Sequence, residues 1–445
     1  MSRTLFENAL VITADDRNTI YRSGWLLVEE DRIASLGGGR FEGDRTGITV
    51  VDAAGHALLP GIVDAHTHVA GSLFKGLLED DPNGFYGFAL PMEGQLTRED
   101  VYRLSLLGAW ECMQAGITTV NEIYHYSLQV AKALDEIGIR AVVSQNIVDV
   151  DIGALRYNDY TRDAAKGESF LEENIRLIET YHGKDNGRIT CRVGPHATDT
   201  VSMELAKKCV EVGQRYQVGF HTHVAQSRRE VAQLRSSYGL TPVEYLRETG
   251  LLGDHLMAAH CIYVAPSDIR LLAESGTHLL HCTEGLGRDA DFPPTREMFD
   301  AGVDIVLGTD WLTMDPWANM RFGIALNRQH GVDHATASAL GMLRRSTIQP
   351  ARALGLGDRI GSLEPNKQAD LLLLDLTGPN LTPMFHDPVV TIVYNACRGD
   401  VTDVMVDGRF TVRHRRLQTM DASEILHQGQ KVAMEVYGRH LAALH

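Results

Sequence analysis

The chain has 445 residues, 44% of them hydrophobic and 22% charged, which allows a large buried core and argues against disorder or a fibrous repeat. With 42 basic against 58 acidic side chains the formal net charge is −16, a balance that repels a phosphate backbone and offers no polybasic patch to a membrane. Nucleic acid and membrane are therefore excluded as expected partners, and a small-molecule substrate is expected.

The opening stretch, MSRTLFENALVITADD, lacks the apolar run of a signal peptide, and no stretch of about 18 uncharged apolar residues follows. A cytoplasmic setting is the expectation. Cys112, Cys191, Cys209, Cys261, Cys282 and Cys397 fall singly with no C-x-x-C pair, as reduced core residues do.

Residues 1–57 alternate apolar and polar side chains in short runs (TLFENALVIT, GWLLVEEDRIASLG, ITVVDAAGHALLP), the period of short antiparallel strands. Residues 356–420 do the same in ADLLLLDL, VVTIVYNA and VTDVMVDGRFTVRHRRL, with Asp407-Gly408 as a hairpin turn. These two halves are expected to pair into one small β-sandwich domain, and residues 421–445 read as a terminal helix.

Between them, residues 58–355 alternate buried-looking strands with helical segments, the pattern of a parallel sheet with crossover helices. The strand candidates are ALLPGIVDA, ITTVNE, RAVVSQN, ITCRVGPHA, QVGFHTH, HLMAAH, THLLH and VDIVLGTD, a number that predicts a closed (β/α)8 barrel of TIM type. Helices are expected from Arg98 to Ala115 after Thr97, from Met203 to Tyr216 after Ser202, and from Ser267 to Ser275 after Pro266.

Nearly every strand candidate ends in a residue able to coordinate or titrate: His66 and His68, Glu122, Asn146, His196, His223, His260, His281 and Asp310. In a (β/α)8 barrel the C-terminal ends of the strands converge on one mouth. Two histidines at i and i+2, as in VDAHTH, can present ring nitrogens to one ion at the roughly 2 Å reach that zinc prefers. Alone such a pair also occurs in exposed turns, and a lone Asp310 also fits a helix N-cap. With His223 from another strand they make three imidazoles and one carboxylate, which suits a divalent ion and leaves a position for water.

LLPGIVDAHTH, the HTH at 221–223, AAHC at 259–261, LGTD at 307–310 and GSLEPNKQADLLLLD at 361–375 together resemble the amidohydrolase superfamily. More narrowly the chain resembles the branch of cytosine, guanine and S-adenosylhomocysteine deaminases and s-triazine hydrolases. The resemblance implies a mononuclear metal-dependent hydrolase, a homodimer or larger homo-oligomer, with His66, His68, His223 and Asp310 as metal ligands. It makes Asp310 the proton acceptor from attacking water, His260 the group that orients that water, and His196 and Glu93 substrate contacts. Members with two metals carry a strand-four lysine, which RITCRVGPHA lacks. One metal is expected, zinc first, with iron or manganese as alternatives.

The implied reaction is attack of metal-bound hydroxide on a planar carbon, most simply deamination of an amino-substituted purine, pyrimidine, pterin or triazine. One departure complicates it. The deaminase motif H-x-x-E here reads His223-Val-Ala-Gln226, and an amide holds a substrate atom by hydrogen bonds but shuttles no proton. His281 and Glu284 are the candidate replacements, against readings as a core histidine and a solvated loop carboxylate. Trp311, close to Trp317, offers an indole to a flat ring or packs the last loop, and Tyr124 carries the same two readings. The alternative function is hydrolysis of a cyclic amide or imidazolone, a carbamate or thiocarbamate, or a carbon–halogen bond. A non-catalytic scaffold is the remote third reading.

Overall fold

The structure is a computed structural model that describes residues 2–81, 83–288 and 291–443. The first strands are β1 (Arg3–Ile12), β2 (Ile20–Glu29), β3 (Arg32–Gly38), β4 (Thr49–Asp52) and β5 (His56–Pro60). The middle of the chain supplies β6 (Ile62–Thr67), β7 (Ile117–Tyr124), β8 (Arg140–Gln145), β9 (Ile189–Cys191), β10 (Phe220–Val224), β11 (Leu256–His260), β12 (His278–His281) and β13 (Asp304–Leu307). The last are β14 (Leu371–Asp375), β15 (Val401–Val406), β16 (Arg409–Arg413) and β17 (Arg416–Leu417).

The fold is α/β. β6 to β9 form one four-stranded parallel sheet and β10 to β13 another. Parallel bridges Val193–Phe220 and Thr67–Asp310 join the two at both edges. Alternation along these strands sorts their side chains into two cores. Val63, Ala65, Val142, Met257, Ala259, Leu280 and Val306 pack with one another. Their neighbours Ile62, Ala141, Val143, Leu256, Ala258, Leu279 and Ile305 join the larger core beneath the helices.

The helices begin where the sequence predicts. Thr97 and Asp100 form a reciprocal capping box for Arg98–Gln114, and the Ser202 side chain caps Met203–Tyr216; each such cap contributes about 1 kcal/mol. Pro266 occupies the first turn of Pro266–Ser275, where its missing N–H costs nothing. The terminal helix, Ala422–Ala443, lies against Arg98–Gln114 and is tied to it by Arg439 and Asp100.

Strands from both chain ends share one nine-stranded sheet, ordered β17-β16-β15-β14-β5-β1-β2-β3 with β4 beside β1. The rings of Phe6 and Phe410 meet at 6.0 Å, although their strands stand four positions apart, about 19 Å across a flat sheet. The sheet therefore bends back on itself around Phe6, Leu26, Ile33, Leu58, Leu371 and Met405. Asp407 and Gly408 turn β15 into β16 with φ of 49° and 71°, as a two-residue hairpin requires.

Two segments differ from expectation. ALLPGIVDA is not one strand: β5 pairs with β1 and β14, and only after Gly61 does β6 enter the parallel sheet. A Cβ at Gly61 would stand 2.1 Å from the Thr118 hydroxyl, so only glycine passes this corner. VVTIVYNA lies not in a strand but largely in the helix Pro388–Asn395, where the Asp387 side chain accepts from the Val389 and Val390 amides and Pro388 opens the first turn. The cap and proline override the β-branched composition. No helix among the described residues is long and apolar enough to cross a membrane.

Candidate metal centre and active site

His66 and His68 close β6, where the pairing with β7 shifts register between Asp64 and Thr67. Asp64 carries this end over to the last parallel strand: one carboxylate oxygen accepts from the Thr309 amide at 2.9 Å and from the His66 amide at 3.3 Å. The Asp310 amide donates to the His66 carbonyl at 2.9 Å, and the His68 amide donates to the Asp310 carbonyl at 3.0 Å. Gly308 is obligatory here, since a Cβ would lie 2.7 Å from the His66 Cβ. These contacts hold Asp310 at φ 69°, and His260 sits at φ 76°. Left-handed backbone of this kind costs a non-glycine residue roughly 1–2 kcal/mol and tends to persist where function needs a side chain aimed off the strand.

The side chains converge. Asp310 Oδ1 lies 3.6 Å from His66 Nε2 and 3.5 Å from His68 Nε2, and Oδ2 lies 4.0 Å from His260 Nε2. His223 Nε2 stands 3.2 Å from His68 Nε2. Neighbouring ligands of a tetrahedral ion with bonds of 2.0–2.1 Å are about 3.3 Å apart, so this donor set fits a divalent cation. The His66 Nε2 atom is buried and has no hydrogen-bond partner, an arrangement that is costly unless something else accepts its lone pair.

The outer nitrogens fix the inner ones. His68 Nδ1 donates to the Ile123 carbonyl at 2.5 Å, and His223 Nδ1 to the His196 carbonyl at 2.6 Å. His66 Nδ1 meets His221 Nε2 at 2.8 Å. With Nδ1 carrying the proton, each Nε2 keeps its lone pair for a metal. Burial lowers all four imidazoles, and those of His66, His68 and His260 fall well below the usual histidine range. Neutral rings suit coordination.

Around this centre, the His196 ring stands 4.9 Å from that of His223, with Nδ1 2.9 Å from the Thr200 hydroxyl. Tyr124 is buried with its ring 5.9 Å from His68. Glu93 ends a short helix 3.6 Å from His125 Nε2, and its charge acts on both Tyr124 and His223. Trp311 is half-buried between Phe74 and Phe85, at 5.2 and 5.6 Å between ring centres. Trp317, by contrast, is core, its indole donating to the Ala115 carbonyl at 2.9 Å. Gln226 is half-buried on the loop after β10.

The structure separates the two candidate proton donors. Leu280 lies in the inner core and Leu279 in the outer one, so alternation turns His281 outward, where its ring meets Phe292 at 4.8 Å. Burial, with Arg345 and His330 nearby, pushes the His281 imidazole down to about 3. Glu284 is no solvated loop carboxylate; it is buried in the first turn of Thr283–Arg288, with its amide donating to Asn319 at 3.0 Å.

Sequence reasoning missed Cys282, whose Sγ joins a cluster with His66 and Asp310 in which ligand atoms lie within 4.8 Å of one another. Its alternation with Leu280 was the available signal. Glu122, one of the strand-end residues the sequence marks, is fully buried and accepts from the Val69 amide at 2.8 Å, just past His68. Sequence reasoning also missed His221, in the same HTH as His223, whose Nε2 meets His66 Nδ1 at 2.8 Å.

A model of the amidohydrolase family matches residues 57–411, and the chain belongs to that family. It is a hydrolase acting on carbon–nitrogen bonds. The chain is 34% identical over 97% of its length to a 5-methylthioadenosine/S-adenosylhomocysteine deaminase of Symbiobacterium thermophilum, covering 99% of that protein. It is 32% identical over 94% of its length to a 5′-deoxyadenosine deaminase of Methanothermobacter thermautotrophicus, covering 96% of it. An adenosine deaminase from Xanthomonas campestris with bound zinc superposes with a TM-score of 0.89 at 27% identity, covering 98% of this chain and 99% of that one. The fold is also shared with an atrazine chlorohydrolase of Arthrobacter aurescens complexed with zinc, at a TM-score of 0.83 and 20% identity over 97% of this chain and all of that one.

Proposed function

We propose that the chain is a mononuclear metal-dependent deaminase of an adenosine-type nucleoside, replacing the exocyclic amino group by oxygen and releasing ammonia. The observation that carries this reading is the convergence of His66, His68, His223 and Asp310, with the His66 Nε2 atom unpartnered, in a chain whose relatives bear the names of adenosine-type deaminases. The reading includes closure of the eight parallel strands into a (β/α)8 barrel, supported by the bridges at both edges, and a small β-sandwich from both chain ends, supported by the Phe6–Phe410 contact. It also includes a cytoplasmic homo-oligomer.

His66, His68, His223 and Asp310 would hold the ion. Zinc is favoured by the nitrogen and oxygen donors and by the zinc in solved structures of similar fold, with iron and manganese accepting the same donors. When bound, the cation supplies Lewis acidity that lets water attack near neutral pH. Asp310, whose Oδ2 faces His260 Nε2 at 4.0 Å, takes the proton of the attacking water, and His260 orients that water by hydrogen bonding. His196 and Tyr124 border the space for the ring, and Glu93 reaches it beside His125. Gln226 holds a substrate atom without moving a proton, so the proton for departing ammonia returns from Asp310.

The test is ammonia release from adenosine, 5′-deoxyadenosine and methylthioadenosine by the metal-loaded protein, with stoichiometric metal analysis alongside. No turnover of any aminated purine, pyrimidine, pterin or triazine by a fully loaded protein overturns the reading. Gln226 favours a second one, hydrolysis of a bond whose leaving group needs less protonation. It gains if Gln226→Glu raises deamination while abolishing another hydrolysis.

A further inference from the structure

Gln226 stands on a three-residue link between β10 and the helix Arg228–Tyr238, and the link begins with Ala225 at φ 49°. Alanine holds this left-handed backbone only where its surroundings enforce it. The Ala225 carbonyl accepts from the Ile262 and Tyr263 amides at 3.1 and 3.0 Å, and the first two amides of the link are held by Glu230. Its Oε1 accepts from the Ala225 amide at 2.8 Å and its Oε2 from the Gln226 amide at 2.7 Å. Its own amide donates to the Ser227 hydroxyl at 3.1 Å, which in turn meets the Tyr86 hydroxyl at 2.8 Å.

Glu230 is fully buried, and the Thr198 hydroxyl also donates to it. Thr198 belongs to the segment after β9 that carries His196, so one carboxyl ties the Gln226 link to the other substrate-facing loop. The titratable groups acting on it are Asp199, Tyr86 and Cys261, and Tyr160, Arg162 and Arg229 gather around Asp199. Tyr160 donates to the Asp199 carboxylate at 2.9 Å, Arg162 to the Asp199 carbonyl at 2.7 Å, and the Arg229 guanidinium lies over Tyr86 at 4.5 Å. Burial raises both carboxyls, Glu230 to about 8 with the nearby Asp199 adding to the rise.

We infer that Glu230 is the positioning residue for Gln226: by gripping the Ala225 and Gln226 amides through both oxygens it sets where the Gln226 amide meets the substrate. This rests on the deaminase reading insofar as Gln226 touches that substrate. A glutamate clamp of this kind matters more here than where a charged residue follows the metal-ligating histidine, since a neutral amide discriminates only by its direction.

Amide hydrogen exchange at Ala225 and Gln226, followed in the free protein, needs no substrate. In Glu230→Ala both amides are expected to exchange at least 100-fold faster. In Glu230→Gln, whose carbonyl oxygen accepts but whose amino group does not, at least one stays protected. With adenosine as the kinetic probe, Glu230→Ala is expected to lower kcat/KM about 30-fold, Glu230→Gln about 5-fold, and Glu230→Ala added to Gln226→Ala to cost nothing further. Unchanged protection in both Glu230 variants, or additive losses in the double variant, overturns the inference. If the wild type deaminates none of the aminated substrates, the deaminase reading falls while the exchange result still decides the clamp.

Discussion

At the N-terminal end of β8, Arg140 is fully buried and its charge is spent. It donates to both oxygens of Asp370 at 2.6 and 3.0 Å, to Asp407, and to the Gly187 carbonyl. At the opposite ends of β6, β10, β11 and β13, histidine nitrogens face one another and a carboxylate at 3.2–4.0 Å, and His66 Nε2 has no partner. Two strand ends of one parallel array thus obey different rules. At the first end the buried Arg140 charge is fully paired and, through Asp370 beside β14, locks the nine-stranded sheet to the parallel strands. The histidine end accepts left-handed backbone at His260 and Asp310 and leaves donors for something the chain does not itself contain.

The largest effect is expected where that second end is emptied. His66→Ala should abolish stoichiometric metal binding and lower kcat/KM for ammonia release by at least about 10³-fold, since attacking water loses its activation. Metal analysis and initial rates on the same preparation check it, and retention of both would break the comparison. At the other end, Arg140→Met leaves Asp370 buried and uncompensated. A loss of about 3–5 kcal/mol in unfolding free energy is expected, with metal content unchanged in the fraction that remains folded, read by denaturant titration.

A smaller effect comes from pH. The folded chain keeps the Glu230 proton up to about pH 8, whereas an unfolded glutamate releases it near 4.5. The stability from holding that proton is complete below pH 4.5 and is lost as pH rises through 8. Wild-type denaturation midpoints should therefore fall between pH 6 and pH 9, and those of Glu230→Gln should stay flatter. The smallest effect is expected at His281. Its ring turns outward onto Phe292, so His281→Gln should change kcat/KM less than about 3-fold, as an outer core position does; a loss above 100-fold would return His281 to the proton path.

Much of the architecture was legible because it depends on local pattern. Period-two runs marked the strands of the two chain ends, Thr97 and Ser202 marked helix starts, and the polar residue closing each parallel strand marked the place where His66, His68, His223, His260 and Asp310 meet. The errors have specific causes. VVTIVYNA reads as a strand by composition, but an aspartate cap and a proline start a helix there. His281 ends a strand like the others, yet one residue of register decides which face it takes.

What the sequence by itself determined is the kind of chemistry: donor types at strand ends, a missing strand-four lysine, and an amide where a general acid is expected. Those depend on residue identity and on spacings within single elements. Only the tertiary structure decided that Cys282 stands with His66 and Asp310, that His281 turns away onto Phe292, and that Glu230, with Thr198, grips the Gln226 link. Such relations join segments far apart along the chain, and their geometry comes from how the strands are packed rather than from any local preference.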